Sequence, residues 1–457
     1  MRSIRKTATV ASAALVVAGL LAACSGSTDD PSAGGKTAIS VVSLKPGSEQ
    51  AAFDAFENQV RQFEAANPDI DVTSQEYEWT GPTFTAQLAG GTLPTVFTVP
   101  FTDGSALIER GQLADLTQYV RGFGYADKFN ETVLRSGQSA DGGIFGVPTA
   151  AYGVGLHYNR TLFTQAGLDP DKPPTTWDEV RSYARQIAER TGQAGYAQMT
   201  EENTGGWMLT SLTYALGGRM QEVDGDKVEA TIDNPAAREA LTRLREMRWQ
   251  DNSMGSNFLY DWGTINQEFA AGRIGMIMGG SDIYESLVQQ NNINPDDYGL
   301  SVLPLAPGSS AGLLGGGTLA AVNVKATPEQ QAAGAKWIDF YYMAKYLKQD
   351  AAVLDAKTLA DSEQPVGLPE LPVFDRATLD QYNEWIKQYV NVPLDQMRFF
   401  SDGIFDQDLA GEPTARTQEM YAVLDSVVQA VLTDQGADID ALLRTADSDV
   451  QAIIDRG

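Results

Sequence analysis

Apolar positions along the chain fall into short runs of period two and longer faces of helical period, in repeated strand–helix order. The run 38–44 is β-rich, and the loop Lys45-Pro46-Gly47-Ser48-Glu49 follows it. Segment 51–66 places Phe53, Phe56, Val60 and Phe63 on one helical face, and Asn67-Pro68-Asp69 stops it. Residues 70–77 alternate as a second strand. A strand–loop–helix–strand unit of this kind builds a parallel sheet, whose ligands favour the loops at the carboxyl ends of the strands. Segment 84–88 opens a short helix closed by Gly90-Gly91, 95–99 is a third strand, and Phe101-Thr102-Asp103-Gly104 stands at its carboxyl end. Residues 107–116 read as helical with a break at Gly111.

The stretch 141–160 departs from this rhythm. Asp141-Gly142-Gly143 supplies a tight reversal, because glycine tolerates positive φ. Residues 144–148 form a short apolar strand stopped by Pro148, and a second apolar run, 154–156, precedes Tyr158-Asn159-Arg160. A strand interrupted by Pro148-Thr149-Ala150-Ala151 reads as a ribbon passing between two folded units, with Tyr152 facing a cleft between them. An internal strand pair of a single domain fits the same residues.

Farther along, Thr176-Trp177-Asp178-Glu179 is a capping box that opens a helix over 177–190. A helix over 205–218 carries Trp207 near its start, Asp224-Gly225-Asp226 marks a hairpin, and Asn234-Pro235 launches a helix through Trp249. Residues 261–271 are helical, and the strand 274–278 leads into Gly279-Gly280-Ser281-Asp282. Strands at 300–305 and 319–324 flank a glycine-rich segment, 313–318, that contains Gly316 and Gly317. Thr327-Pro328-Glu329-Gln330 caps a helix to Tyr346, and the remainder is mainly helical around a proline-rich interruption at 365–372.

The N-terminus and the charge narrow the class. Arg2, Arg5 and Lys6 precede a small-residue apolar run, 8–23, which is shorter than the roughly 20 apolar residues that span a bilayer and fits a removable export signal. It ends in Leu21-Ala22-Ala23-Cys24, and Cys24 is the one cysteine of the chain, so no intrachain disulfide or cysteine metal cluster is available. Residues 24–36 are a Ser/Gly/Asp/Pro tether with nothing to bury. The net charge of −27 becomes −30 once the three basic residues ahead of Cys24 are removed. So acidic a surface excludes nucleic acid and anionic lipid as partners and disfavours anionic ligands, leaving neutral or cationic ones.

Several motifs then coincide in order: Asn67-Pro68-Asp69-Ile70, Leu88-Ala89-Gly90-Gly91 with Pro94, Gly146-Val147-Pro148, Tyr158-Asn159-Arg160, Pro174-Thr175-Thr176-Trp177-Asp178-Glu179, and Phe269-Ala270-Ala271-Gly272-Arg273-Ile274-Gly275-Met276. Together they resemble the sugar-binding lipoproteins of ABC import systems, the group that includes the maltose-binding protein. Leu21-Ala22-Ala23-Cys24 resembles the lipobox in which the cysteine becomes the lipid-bearing first residue. The resemblance implies an α/β, two-lobe, periplasmic-binding-protein-like fold of type II that shuts its ligand between the lobes. It places 37–148 with 303–345 in an N-terminal lobe and 149–302 with 346–457 in a C-terminal one. It further implies a monomer without cofactor, tethered through Cys24 at the outer face of the cytoplasmic membrane, that hands its ligand to ABC permease subunits.

By the same resemblance, Gly47, Ser48, Glu49, Phe101, Thr102 and Asp103 supply the first lobe's binding loops. Tyr152, Asn203, Thr204, Trp207, Asp282, Tyr284, Gly316 and Gly317 complete the candidate site. Asp282 stands where many relatives carry an aromatic. Independently of any family, a sugar offers apolar C–H faces and a rim of hydroxyls, so its site needs aromatic plates with carboxylate and amide acceptors. Tyr152, Trp207 and Phe101 are candidate plates; Glu49, Asp103, Asn203 and Asp282 are candidate acceptors. Core packing remains open for Trp207 and Tyr152, and is the better reading for Trp177, Trp249 and Trp337.

Trp262, Trp385 and Tyr421 fall in no assigning pattern. A secreted glycoside hydrolase and carriers for polyamine or ferric ion, the latter through Tyr341-Tyr342, are the competing functions. The lone His157 belongs to neither a triad nor a zinc cluster, and the sequence holds no phosphate-cradling GxxxxGK[ST] motif. The expected function is a non-enzymatic receptor for a neutral carbohydrate, an oligosaccharide in the first instance.

Overall fold

The computed structural model describes residues 35–456 apart from 45, 48, 49, 78, 225, 226 and 309. The export signal, most of the tether and Cys24 therefore lie outside the described residues, as do Ser48 and Glu49.

Ten strands are present among the described residues: β1 (Thr37–Val42), β2 (Ile70–Gln75), β3 (Val96–Pro100), β4 (Gly146–Asn159), β5 (Gln221–Asp224), β6 (Lys227–Ala230), β7 (Met276–Gly280), β8 (Tyr298–Val302), β9 (Leu313–Val322) and β10 (Leu409–Gly411). β5 and β6 pair as an isolated hairpin. The remaining strands make one sheet in the order β2-β1-β3-β9-β4-β7, with β8 also on β4 and β10 also on β9. β1 is parallel to both β2 and β3, as the strand–helix–strand pattern predicts, and β9 returns antiparallel to β3.

The two apolar runs on either side of Pro148 form one continuous strand. β4 pairs with β9 from Gly146 to Gly153, then with β7 from Val154 to Tyr158 and with β8 from Gly155 to Asn159. Proline cannot donate to a ladder, and the strand absorbs the interruption with a register shift between Pro148 and Ala150. Every β4 residue is buried except Ala150, which is exposed, and Tyr152, which is half-buried. The strand thus opens to a cleft only at those two positions.

Three other expectations differ from what is observed. The glycine-rich segment 313–318 is not a loop but the first half of β9, where Gly315, Gly316 and Gly317 pair with Gly153, Tyr152 and Ala151. Phe101-Thr102-Asp103 is not a loop either. It is the first turn of the helix Phe101–Glu109, entered straight from β3 through Pro100. Gly111 then turns with φ +62°, and Leu113 bridges Asn323 instead of continuing a helix to 116.

The helices expected at 51–66 and 177–190 are found at Gln50–Ala66 and Trp177–Thr191. Thr176 caps the second by accepting from the Glu179 N–H at 3.2 Å, whereas the Glu179 carboxylate takes the N–H of Thr175 at 2.8 Å rather than that of Thr176. Trp177 and Trp337 are core residues. Trp249, half-buried, donates its indole N–H to Val431 O at 3.0 Å. Tyr341 stacks on Trp337 with centroids 5.2 Å apart, beside Phe56 and Phe63 of the first helix. No helix among the described residues is long and apolar enough to cross a membrane.

Candidate functional site

The open face of β4 is where the functional side chains converge. Tyr152 projects over β9, and a Cβ on its register partner Gly316 would run into the Tyr152 hydroxyl. A Cβ on Gly280, at the end of β7, would lie 3.2 Å from the same ring and against the Asp282 carboxylate. Glycine at these two positions is what lets a tyrosine lie flat between the strand ends. Gly317 does the same for Phe101, whose ring occupies the space a Cβ would need.

Trp207, from the helix Thr204–Ala215, meets Tyr152 edge to face at 5.8 Å, and Trp262, from the helix Trp262–Ala270, lies 6.3 Å from Trp207. Three aromatic plates from three elements therefore adjoin.

Carboxylates surround the plates. Glu412, just past β10, accepts from the Tyr421 hydroxyl at 3.1 Å. Burial pushes it up to about 7, an effect the Tyr421 bond opposes and the charge of Asp103 reinforces. Burial pushes Asp103 up to about 6, aided by the charge of Glu419 and opposed by Arg110. Burial likewise raises Asp282 to about 6. The Tyr152 phenol is held well above its ordinary value, first by burial and then by Glu412 and Asp282. Glu412 and Asp282 thus both act on the Tyr152 ring, while Asp103 is coupled to Glu412 and Glu419.

Several buried polar atoms here have no protein partner among the described residues: Thr102 Oγ1, Asp103 Oδ2, Trp207 Nε1 and Ser281 Oγ. Unpaired buried polar atoms are costly, and those of Trp207, beside Tyr152, and of Ser281, beside Gly153, lie where a polar ligand over β4 could pair them. A cavity of ≈ 270 Å³ beside them is lined by Phe101, Thr102, Gly315, Leu371, Glu412 and Pro413. A second, of ≈ 320 Å³, lies across Leu371 and contains Ala150, Glu285, Lys345, Tyr346 and Glu370. Asp103 also lines an adjoining hollow of ≈ 460 Å³ with Arg110 and Lys325.

The remaining sequence candidates are placed as follows. Asn203 adopts a left-handed backbone (φ +69°) and sends its amide to Gln418 at 3.1 Å, while the Thr204 hydroxyl donates to Glu201 O at 2.6 Å. Both serve the start of the Trp207 helix. That helix is held by Asp425, whose carboxylate accepts from the N–H of Asn203 and of Gly206, each at 2.7 Å. Tyr284 is buried against Tyr298, centroids 4.6 Å apart. Gly47 turns with φ +85° in the loop after β1.

His157 is fully buried, its Nδ1 2.8 Å from the Tyr298 hydroxyl, and burial lowers it to about 4. Glu412, Tyr421 and Trp262 were not among the sequence candidates. Glu412-Pro413 follows a three-residue strand too short to leave a pattern, and only the tertiary fold brings Trp262 to Trp207.

The profile of the family described as "bacterial extracellular solute-binding protein" matches residues 46–348. A protein of Brucella abortus (strain 2308), described no further than as a binding protein, is 24% identical over 264 residues, which are 57% of this chain and 62% of that one. The chain thus spans less than two thirds of that relative's length. Among solved structures, the cyclic alpha-maltosyl-1,6-maltose binding protein of Arthrobacter globiformis superposes with a TM-score of 0.70 at 23% identity, covering 93% of this chain and 100% of that one. The UgpB protein of Mycobacterium tuberculosis in complex with glycerophosphocholine gives 0.71 at 19% identity, covering 92% and 99%. The fold is the two-lobe, type II arrangement of these binding proteins.

Proposed function

Because the chain belongs to the bacterial extracellular solute-binding protein family, we propose that it captures a carbohydrate in the cleft at Tyr152 and hands it to an ABC permease. Proteins of this family bind solutes without converting them, so the carboxylates act as acceptors and not as a hydrolytic pair. The observation that carries the reading is the Tyr152–Trp207–Trp262 row, set among unpaired polar atoms on a strand shared by both halves of the sheet. Aromatic plates take the apolar faces of a sugar ring, and the polar atoms take its hydroxyls.

In this reading residues 37–148 with 303–345 close against 149–302 with 346–457, pivoting where β4 and β9 change partners. Cys24 carries the lipid that keeps the receptor at the outer face of the cytoplasmic membrane, and the receptor works as a monomer. Likeness to a cyclic alpha-maltosyl-1,6-maltose binding protein supports a carbohydrate as the class of solute and not its identity, whereas the neighbour holding glycerophosphocholine shows that the fold also serves other solutes.

The test is a thermal-shift screen of the mature protein against mono- and oligosaccharides, followed by chromatography of the recovered sugar. A stabilising saccharide recovered intact supports the proposal; cleavage of the sugar, or stabilisation by none, would overturn it.

A further inference from the structure

The acidic groups of the cleft are out of proportion to what sugar hydroxyls require, and this bears on the charge of the ligand. Asp103, Asp282 and Glu412 form no ion pair within 4 Å with any lysine, arginine or histidine among the described residues. The basic side chains at hand stay peripheral. Arg110 and Lys325 line the hollow on the Asp103 side, Arg135 is exposed at the rim of the ≈ 270 Å³ cavity, and Lys345 is the counter-charge of Glu370 in the neighbouring one.

The carboxylates do not stand alone. Asp282 and the Tyr152 ring both close on Gly280, Glu412 lines the cavity with Gly315 and Thr102, and the Trp207 indole N–H beside Tyr152 and the Thr102 hydroxyl lack partners. Rings with negative faces next to carboxylates that lack a basic partner form the environment in which an ammonium group is held by cation–π and charge-assisted contacts together. Burial raises Glu412 and Asp282, and a bound ammonium group would offset that by favouring their charged forms.

We infer that the ligand is a saccharide carrying a protonated amine, with Glu412 and Asp282 as its charge partners and the Tyr152–Trp207 pair as its platform. This rests on the carbohydrate reading above and departs from the expectation of a neutral ligand. The unmodified hydroxyls of the sugar fall to the unpartnered Thr102, Ser281 and Trp207 groups.

The experiment is isothermal titration calorimetry of the mature protein against matched sets: glucosamine and galactosamine with their β-1,4 di- and trisaccharides, the same sugars with hydroxyl in place of the amine, and their N-acetyl forms. Putrescine and spermidine serve as amines without a sugar. The expected result is that the amine forms bind about 10-fold or more tightly than their neutral twins. That preference collapses in Glu412→Gln and in Asp282→Asn, each checked for an unchanged circular dichroism spectrum. Raised salt weakens the amine forms alone.

Neutral twins binding as well as the amines would overturn the inference while leaving the carbohydrate receptor standing. Tight binding of putrescine or spermidine with no response to any sugar would overturn both.

Discussion

Tyr152 and Trp207 meet edge to face, ring centroids 5.8 Å apart with planes at 84°, one from the strand that crosses the sheet and the other from the helix Thr204–Ala215. The indole N–H of Trp207 is buried without a partner. Standing beside the half-buried Tyr152, that donor is in place to pair with a ligand hydroxyl. Trp207→Ala is therefore expected to weaken saccharide binding by about 1–3 kcal/mol while the protein still unfolds cooperatively. Calorimetry with an unchanged affinity would move Trp207 from the site to the core.

Gly316 tests the room left for Tyr152. The Cβ of Gly316→Ala would collide with the Tyr152 hydroxyl, so the ring must shift at a cost of about 1–3 kcal/mol in overpacking. Ligand affinity should fall with stability, and in a Tyr152→Ala background, which removes the ring that the Cβ meets, Gly316→Ala should cost less stability in denaturant melts. Identical denaturation midpoints for Gly316→Ala and the parent would refute the close approach.

Asp425 holds the helix that presents Trp207. Its carboxylate satisfies two backbone N–H groups at the helix start, and burial holds its pKa above the usual carboxylate value. Asp425→Ala strands those donors and is expected to cost about 2–3 kcal/mol of stability, with Asp425→Asn milder. Urea unfolding followed by tryptophan fluorescence measures both.

The cleft carboxylates make stability depend on pH with a definite sign. Glu412 is raised from 4.5 to about 7 in the folded state, so the fold binds its proton more tightly than the unfolded chain does. That contribution is full below pH 4.5 and is lost as pH rises through 7. Glu412→Gln removes the effect, so the variant's stability relative to the parent should grow by about 2 kcal/mol between pH 5 and pH 8 without ligand. His157 acts oppositely in its own window: it is lowered to about 4, and its contribution is lost as pH falls from 6.5 toward 4. Parallel melting curves for variant and parent across pH 5–8 would contradict the assignment of Glu412.

Much of the frame was legible because its signals are local. Phe56, Val60 and Phe63 define one buried face within a single helix, and Thr176 marks the start of another. The irregularity of β4 was legible too, since Pro148 and the small residues after it mark the place where the register shifts. What escaped depends on distant partners. Nothing near residues 313–318 says that these glycines form a strand, because their pairing with β4 is what makes them one. Phe101 starts a helix only because Pro100 ends β3 against it. Glu412, Tyr421 and Trp262 acquire meaning only when the C-terminal helices pack beside Trp207.

Small-angle X-ray scattering of the mature protein, alone and saturated with a saccharide that calorimetry shows to bind, tests the trapping of ligand between two lobes most directly. The account predicts a smaller radius of gyration in the bound state, reversed when the sugar is dialysed away. A saturated protein whose scattering curve superposes on that of the free form would contradict it.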